Sequence, residues 1–326
     1  MNKILITGAN GYIGNCLFHF LKDKFKIIGI DKEKSSNKKI LKCNILNKKK
    51  LNLIIKREKP KVIIHLAAQS LVDETINKKK YYNNNVSATN ILLEIMKKNN
   101  IKKIIFSSTA AVYKQSSKPL KEKSKLKALS TYAKTKLICE KNILKQKNIK
   151  SVNLRFFNVC SALNKPVIGE FHNPETHLIP TAVYKAMYNK KIYIYGDDFS
   201  TPDRTCIRDY IHIKDICSAI EKSTKYLLDN KKSITFNIGN NKGLSNKEII
   251  NYLQKIINKK INLEYVNRRK GDVSRLICNS SKIKKILSWK AKNSNLKKII
   301  IDEISWIKKL KKMQLNRKFK NYKLKK

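Results

Sequence analysis

The segment KILITGANGYIG, residues 3–14, runs a short β-branched stretch straight into a turn with three glycines, followed by apolar residues at helical spacing as far as Leu21. A chain built this way reads as a strand, a tight turn and a helix. In a nucleotide-binding turn of the GxxGxxG form, Gly8 takes the sharp bend, Gly11 lets backbone approach a pyrophosphate, and Gly14 lets helix pack closely on strand. The helix N-terminal amides then face the anion. Taken alone, the three glycines also suit a purely structural turn.

The downstream elements narrow the choice. KIIGID (26–31), KVIIHLAA (61–68), KKIIFSS (102–108) and SVNLRFF (151–157) are further apolar strands. Helical stretches lie between them: about 84–98, with Val86, Ile91, Leu92 and Ile95 on one side, and STYAKTKLICEKNILKQ (130–146). Strands that are apolar throughout and alternate with helices predict a Rossmann-like α/β fold, a parallel sheet covered by helices on both faces. Beyond residue 157 the periodicity weakens. NVCSALNKPVIGEFHNPETH is loop-like, LIPTAVYKAM reads as helix, and KIYIYG and ITFNIG are later strands. SNKEIINYLQKI opens with a capping-box pattern. The expected organisation is a dinucleotide-binding domain over 1–160 and a smaller mixed α/β substrate region over 161–305, with segments around 180–240 returning to the first domain. A basic tail, 306–326, completes it.

The 326 residues carry 73 basic against 23 acidic side chains, a formal charge of +50. Such a balance ordinarily points to a polyanion. Here the lysines are spread through most of the charged stretches, often beside Asn or Ile, rather than gathered in a basic arm or interleaved with aromatics, so no specific nucleic-acid partner is expected. Seven cysteines stand singly, and five histidines lack metal-site spacing, so no metal is expected and a reducing, cytoplasmic compartment is. The first apolar run is too short for a signal-peptide core, and no run of about 20 apolar residues suggests a membrane span.

Asp31 ends the second strand about 20 residues after the glycine turn, where a carboxylate can accept both hydroxyls of an adenosine ribose and repel a 2′-phosphate. That favours NAD over NADP, although Lys32 and Lys34 flank the same edge. KKIIFSS delivers SSTAAVY to its carboxyl end, the ligand-binding side of a parallel sheet. Three tyrosines have a lysine four residues later: Tyr132 with Lys136, Tyr210 with Lys214 and Tyr322 with Lys326. Only the first pair follows a hydroxyl-rich strand end on a helix, where i,i+4 spacing puts both side chains on one face. A nearby ammonium would lower the phenol's pKa, so Tyr132 could serve as acid or base, with Thr109 across the cleft.

These residues resemble those of the extended short-chain dehydrogenase/reductases and, among them, the UDP-glucose 4-epimerase family. The resemblance runs from ILITGANGYIG to LSW near residue 289 and is most specific in SSTAAVY, LRFFNV, TPDRTCIRDYIH and RRKGD. It implies a catalytic trio of Thr109, Tyr132 and Lys136, acting on a UDP-sugar with NAD in a homodimer. Thr109 would hydrogen-bond the sugar 4-hydroxyl, Tyr132 would remove its proton, and Lys136 would hold the nicotinamide ribose. Tyr12, Ile13 and Ser107 would join the glycines and Asp31 on the cofactor. Phe157 would border the nicotinamide, Leu66, Ala67, Ala68 and Asn84 would line the dinucleotide, and Asn44 and Ile45 would contact adenine. Asn158, His177, Leu178, Tyr193, Arg208, Arg269 and Asp272 would surround the UDP portion. Leu276 would stand at the wall beside the sugar, where some relatives carry Tyr. Arg208 and Arg269 are forks suited to a diphosphate, and Asp209 and Asp215 read as local partners.

The chain departs from the family's pattern at Asn44, Lys114, Thr131, Ala133 and Arg204, the last in a customary glycine position. The rival readings are an epimerase of another UDP-sugar, a related dehydratase, and a noncatalytic NAD- or polyanion-binding protein. The dehydratase is disfavoured because Thr109 is followed by Ala110 and Ala111 and not by an acid.

Overall fold

The computed structural model describes residues 1–70, 77–172, 175–269 and 271–315. Strand β1 (Lys3–Thr7) passes through Gly8 into helix α1 (Tyr12–Leu21); β2 (Lys26–Asp31) and β3 (Ile40–Lys42) precede α2 (Lys48–Glu58) and β4 (Val62–His65). The short α3 (Lys78–Tyr81) runs through a π-helical turn, Tyr82–Ser87, into α4 (Ala88–Lys98). Then come β5 (Lys103–Thr109), α5 (Thr131–Leu144) and β6 (Lys150–Phe156). Among the described residues the main sheet has the order Ile234–Ile238, β6, β5, β4, β1, β2, β3, with every pairing parallel. The strand order reverses between β1 and β4, which opens a crevice at their carboxyl ends.

Both faces of this sheet are buried, which is why its strands read as unbroken apolar runs. Ile54, Leu92, Ile95, Met96 and Ile143 fill one side under α2, α4 and α5. Leu17, Leu21, Ile216, Ile220 and Trp289 fill the other, under α1 and the helix Ile213–Leu228. Each buried Leu or Ile stabilises the fold by roughly 1.5–3 kcal/mol relative to exposure.

A smaller mixed part covers the crevice. Strand Ile207–His212 pairs with Asn158–Cys160 and Arg275–Leu276 in parallel and with Gly243–Ser245 antiparallel, while Ile192–Tyr195 pairs with Leu263–Val266. The capping box is present at Ser245 and Glu248. Two stretches differ from the sequence reading. The loop-like region after residue 157 contains three short strands, too brief to show a period. The expected tail is helix as far as Leu315, and Trp306, Ile307 and Leu310 are buried in the smaller part's core. They recur at helical spacing that the surrounding lysines obscure. Residues 316–326, and with them Tyr322 and Lys326, lie outside the described residues, as does Lys270 of RRKGD.

Candidate functional site

One cavity of about 1410 Å³ occupies the crevice, well above the roughly 300–1,000 Å³ of an ordinary small-ligand pocket. Every site residue named from the sequence lines it except Tyr193.

At one end lies the glycine turn. Gly8 has φ +70°, and a Cβ there would sit 2.8 Å from Ala67 N. A Cβ on Gly14 would collide with the Gly8 carbonyl oxygen, so only glycine lets α1 lie this close to β1. Gly11 begins α1 with no side-chain cap, leaving the first-turn amides available to an anion. Asp31 accepts from Asn10 N at 2.9 Å and Glu33 N at 3.0 Å, one bond on each oxygen, which fixes the carboxylate and leaves lone pairs for two hydroxyls. Thr7 Oγ1 lies 2.7 Å from His65 Nδ1 and accepts from Ala67 N, tying β4's end to β1. Asn85, in the π-helical turn, accepts from Gln69 N at 2.7 Å and donates to Thr135 Oγ1, while its neighbour Asn84 lines the cavity.

At the centre, Ser130 caps α5 by accepting from Ala133 N, which sets Tyr132 and Lys136 on the first turns of a helix facing the end of β5. Thr109 ends β5, and its hydroxyl accepts from Ala111 N at 3.1 Å. Lys136 donates from Nζ to the Ser107 carbonyl at 2.7 Å and lies 4.8 Å from the Phe106 ring centre. Burial pulls the Lys136 ammonium down to about 8. Burial pushes the Tyr132 phenol up to about 12, against the opposing pull of a hydrogen bond with Thr109. The expectation that Lys136 lowers the phenol therefore fails for the protein alone: Nζ is turned to Ser107 and stands 6.0 Å from the Tyr132 ring centre, so desolvation wins.

At the far end, Arg208 is buried and donates to Val273 O at 2.6 Å and Ile207 O at 3.1 Å, with Asp272 Oδ1 at 3.4 Å. The Arg269 guanidinium stacks 4.0 Å from the ring centre of Tyr195. Tyr195 lines the cavity where Tyr193 was expected; Tyr193 instead carries Lys185 Nζ over its ring at 4.6 Å. Alternation in KIYIYG puts both tyrosines on one face, so the pattern gave the face and not the distance along it. Asp209 and Asp215 are loop anchors: Asp209 accepts from Asn240 N and Cys278 N, and Asp215 from Lys292 N, Asn293 N and Ser294 Oγ. The sequence reading also missed Glu170 and His172, which join His177 and Leu178 on the wall.

The family model described as NAD dependent epimerase/dehydratase matches residues 4–239. The chain belongs to that family. It is 34% identical over 302 residues, 88% of this chain and 92% of the relative, to a UDP-glucose 4-epimerase of Rhizobium meliloti (strain 1021). The UDP-glucose 4-epimerase of Brucella ovis, solved with NAD, superposes with a TM-score of 0.88 at 29% identity, covering 94% of this chain and 98% of that one. That of Bifidobacterium longum, solved with NAD+ and UDP, gives 0.86 at 27% identity over 97% and 99%.

The cofactor of the NAD dependent epimerase/dehydratase family fits what is here. The turn that only Gly8 and Gly14 can make, the uncapped start of α1 and the oriented Asp31 form a cradle for a pyrophosphate and an unphosphorylated ribose. Of the family departures, Lys114 is not in the left-handed region, so no glycine is required there, whereas Arg204 adopts φ +64°. Among the described residues no helix is long and apolar enough to cross a membrane.

Proposed function

We propose that the chain interconverts UDP-glucose and UDP-galactose with NAD, by reversible oxidation at sugar C4 through a 4-keto intermediate. The observation that carries this reading is the convergence of Thr109, Tyr132 and Lys136 at the end of β5, between the glycine turn and the Arg208/Arg269 end of one cavity. The UDP-glucose 4-epimerases it resembles across most of its length support the same reading.

In this scheme Tyr132 takes the proton of the 4-hydroxyl, Thr109 orients that hydroxyl, and Lys136 holds the nicotinamide ribose. When bound, NAD would supply a reversible hydride acceptor, so that C4 would be oxidised and then reduced with no net redox change. Arg208 and Arg269 anchor the diphosphate, with Asn158, His177, Leu178 and Asp272 around the UDP. Leu276 bounds the sugar, which must turn over to receive hydride on its other face. Binding energy therefore belongs at the nucleotide end, leaving the sugar loosely held. Phe157, Leu66, Ala67, Ala68, Asn84, Asn44, Ile45, Tyr12, Ile13 and Ser107 complete the cofactor side. The main sheet would serve the cofactor and residues 161–305 mainly the substrate.

The same reading makes the protein a cytoplasmic homodimer without a specific nucleic-acid partner. Seven free, buried thiols suit a reducing compartment. Sedimentation tests the dimer. The reaction itself is tested by incubating the purified chain with UDP-galactose: sustained formation of UDP-glucose by wild type but not by Tyr132→Phe is expected. A folded protein that retains NAD yet converts nothing would instead be a binding protein.

A further inference from the structure

In EFHNPETH, residues 170–177, donors recur at spacings of two, three and two, and the structure brings Glu170, His172, Glu175 and His177 together with one ligand atom from each within 4.8 Å of the others. Histidine spacing alone did not flag this group because half of its donors are carboxylates.

The geometry points to a site for a divalent first-row transition metal of the zinc class, bound by two imidazole nitrogens and two carboxylate oxygens. Both histidines bring Nδ1 to 3.1 Å from the same oxygen, Glu170 Oε1. Nδ1 of His172 stands 3.7 Å from Glu175 Oε2, and that of His177 stands 3.2 Å from Glu175 Oε1. Bonds of about 2.0–2.1 Å to a tetrahedral zinc require ligand atoms roughly 3.3–3.4 Å apart, and the two separations to Glu170 Oε1 and the one from His172 to Glu175 Oε2 bracket that edge.

A plain cluster of ion pairs accounts for the arrangement less well. Glu170 and Glu175 are 4% and 1% exposed, yet Oε2 of each has no hydrogen-bond partner. Nδ1 of His172 is likewise buried without one, although Glu170 Oε1 is within reach. Closeness without alignment is what lone pairs converging on a common centre produce. Buried polar atoms left unpaired are costly, and a metal ion at the centre of the cluster would partner all three. Glu175 Oε1 is held by the amides of Thr176 and His177, both at 2.8 Å, which leaves Oε2 as the ligand oxygen. Without a metal the two carboxylates are countered by the histidines that face them; a divalent cation would take over that role with its own two charges, displacing the imidazole protons. A third carboxyl, Glu303, lies fully buried with both oxygens unpartnered.

Imidazole and carboxylate together suit zinc better than magnesium or calcium, which prefer all-oxygen sets. With four protein ligands the site is of the closed, structural kind. It would pin the segment that feeds the helix Leu178–Met187, and ligation through Nδ1 would leave His177 Nε2 as an N–H donor on the cavity wall. The inference is independent of the proposed reaction, since its readout is metal content.

The full chain, purified without a histidine tag, is equilibrated with zinc, dialysed and measured by mass spectrometry of the metal. About one zinc per chain is expected, with loss of that equivalent in His172→Ala and in Glu175→Gln, circular dichroism showing the fold intact. Cobalt loading should give the visible absorption of a tetrahedral centre. His172→Cys covers the case of a substituted chain that fails to fold: it should keep the metal and add a thiolate-to-cobalt band. Background zinc in wild type, or an equivalent that survives both ligand substitutions, overturns the site.

Discussion

Glu140 grips Arg155 in two parallel hydrogen bonds, 2.9 Å from Nε and 2.7 Å from Nη2, and the two side chains are only 3% and 7% exposed. Glu140 lies one turn beyond Lys136 on α5, and Arg155 lies on β6, so the pair clamps the helix that carries Tyr132 and Lys136 to the sheet. Arg155 also donates to the Tyr113 hydroxyl at 2.9 Å, which in turn donates to Asn237 at 2.7 Å. The centre of the cavity, where α5 presents Tyr132 and Lys136, thus rests on a buried polar network behind it.

Removing one member of a buried pair strands the other charge, at a cost of about 3–5 kcal/mol. Glu140→Gln should lower unfolding stability by that amount in urea. The double change Glu140→Met with Arg155→Met should recover most of the loss, because neither charge is then left unpaired. Equal loss in the single and double variants would show that packing, and not charge, holds α5 here.

Lys136 has the opposite standing. Its folded pKa is near 8 against 10.5 for the free group, because it is buried. As pH falls from 10.5 to 8 the unfolded chain takes up a proton that the folded chain resists, so stability falls across that window. The penalty is complete below pH 8, at about 3 kcal/mol. Lys136→Met should therefore raise stability at pH 7 by about 1–3 kcal/mol, with the gain shrinking towards pH 10.5, while abolishing the proposed turnover. Thermal unfolding of both proteins at the two pH values checks it; a gain that ignores pH would assign the effect to packing.

The elements of the fold were legible where the physics is local. Sheet strands buried on both faces must be apolar throughout, and Gly8 and Gly14 mark contacts that no Cβ survives. That Tyr132 sits on the helix after the strand ending at Thr109 was legible from chain order, whereas the spatial order of β1, β4 and β5 came only with the fold. What escaped depended on tertiary distance. Tyr193 and Tyr195 share a face, and only the fold shows which reaches the cavity. The phenol's pKa turned on where Lys136 Nζ points, and no spacing specifies that. Trp306 and Leu310 were hidden among lysines that their helix turns to solvent.

Arg204 shows a local misfit that the fold absorbs. Its φ of +64° belongs to the left-handed region, and its Nε donates to Asp197 O at 2.6 Å from an exposed position. A non-glycine residue there costs roughly 1–2 kcal/mol, while glycine adds about 0.5–1 kcal/mol of unfolded-chain entropy. Arg204→Gly should raise stability by about 0.5–1 kcal/mol in urea denaturation. A loss would mean that the Asp197 contact outweighs the backbone strain.

Leu276 bears on substrate breadth within the proposed function. It lies in register with Arg208 on the paired strand, lines the cavity, and packs against the cluster that holds Phe157 and Tyr113. In the proposed reaction, a sugar turning over between Phe157 and this wall would sweep its C2 substituent through the space beside residue 276. Leucine leaves room there that a tyrosine ring would fill, and steric exclusion of a bulky group raises the barrier where simple loss of a contact changes it little. The wild type should therefore act on UDP-N-acetylgalactosamine as well as on UDP-galactose. Leu276→Tyr should reduce kcat/KM for the acetamido substrate by at least about tenfold, some 1.4 kcal/mol, while changing the UDP-galactose value much less. Parallel kinetics on both substrates decide the matter: a wild type inert towards the acetamido sugar, or a variant with unchanged discrimination, removes residue 276 as the gate.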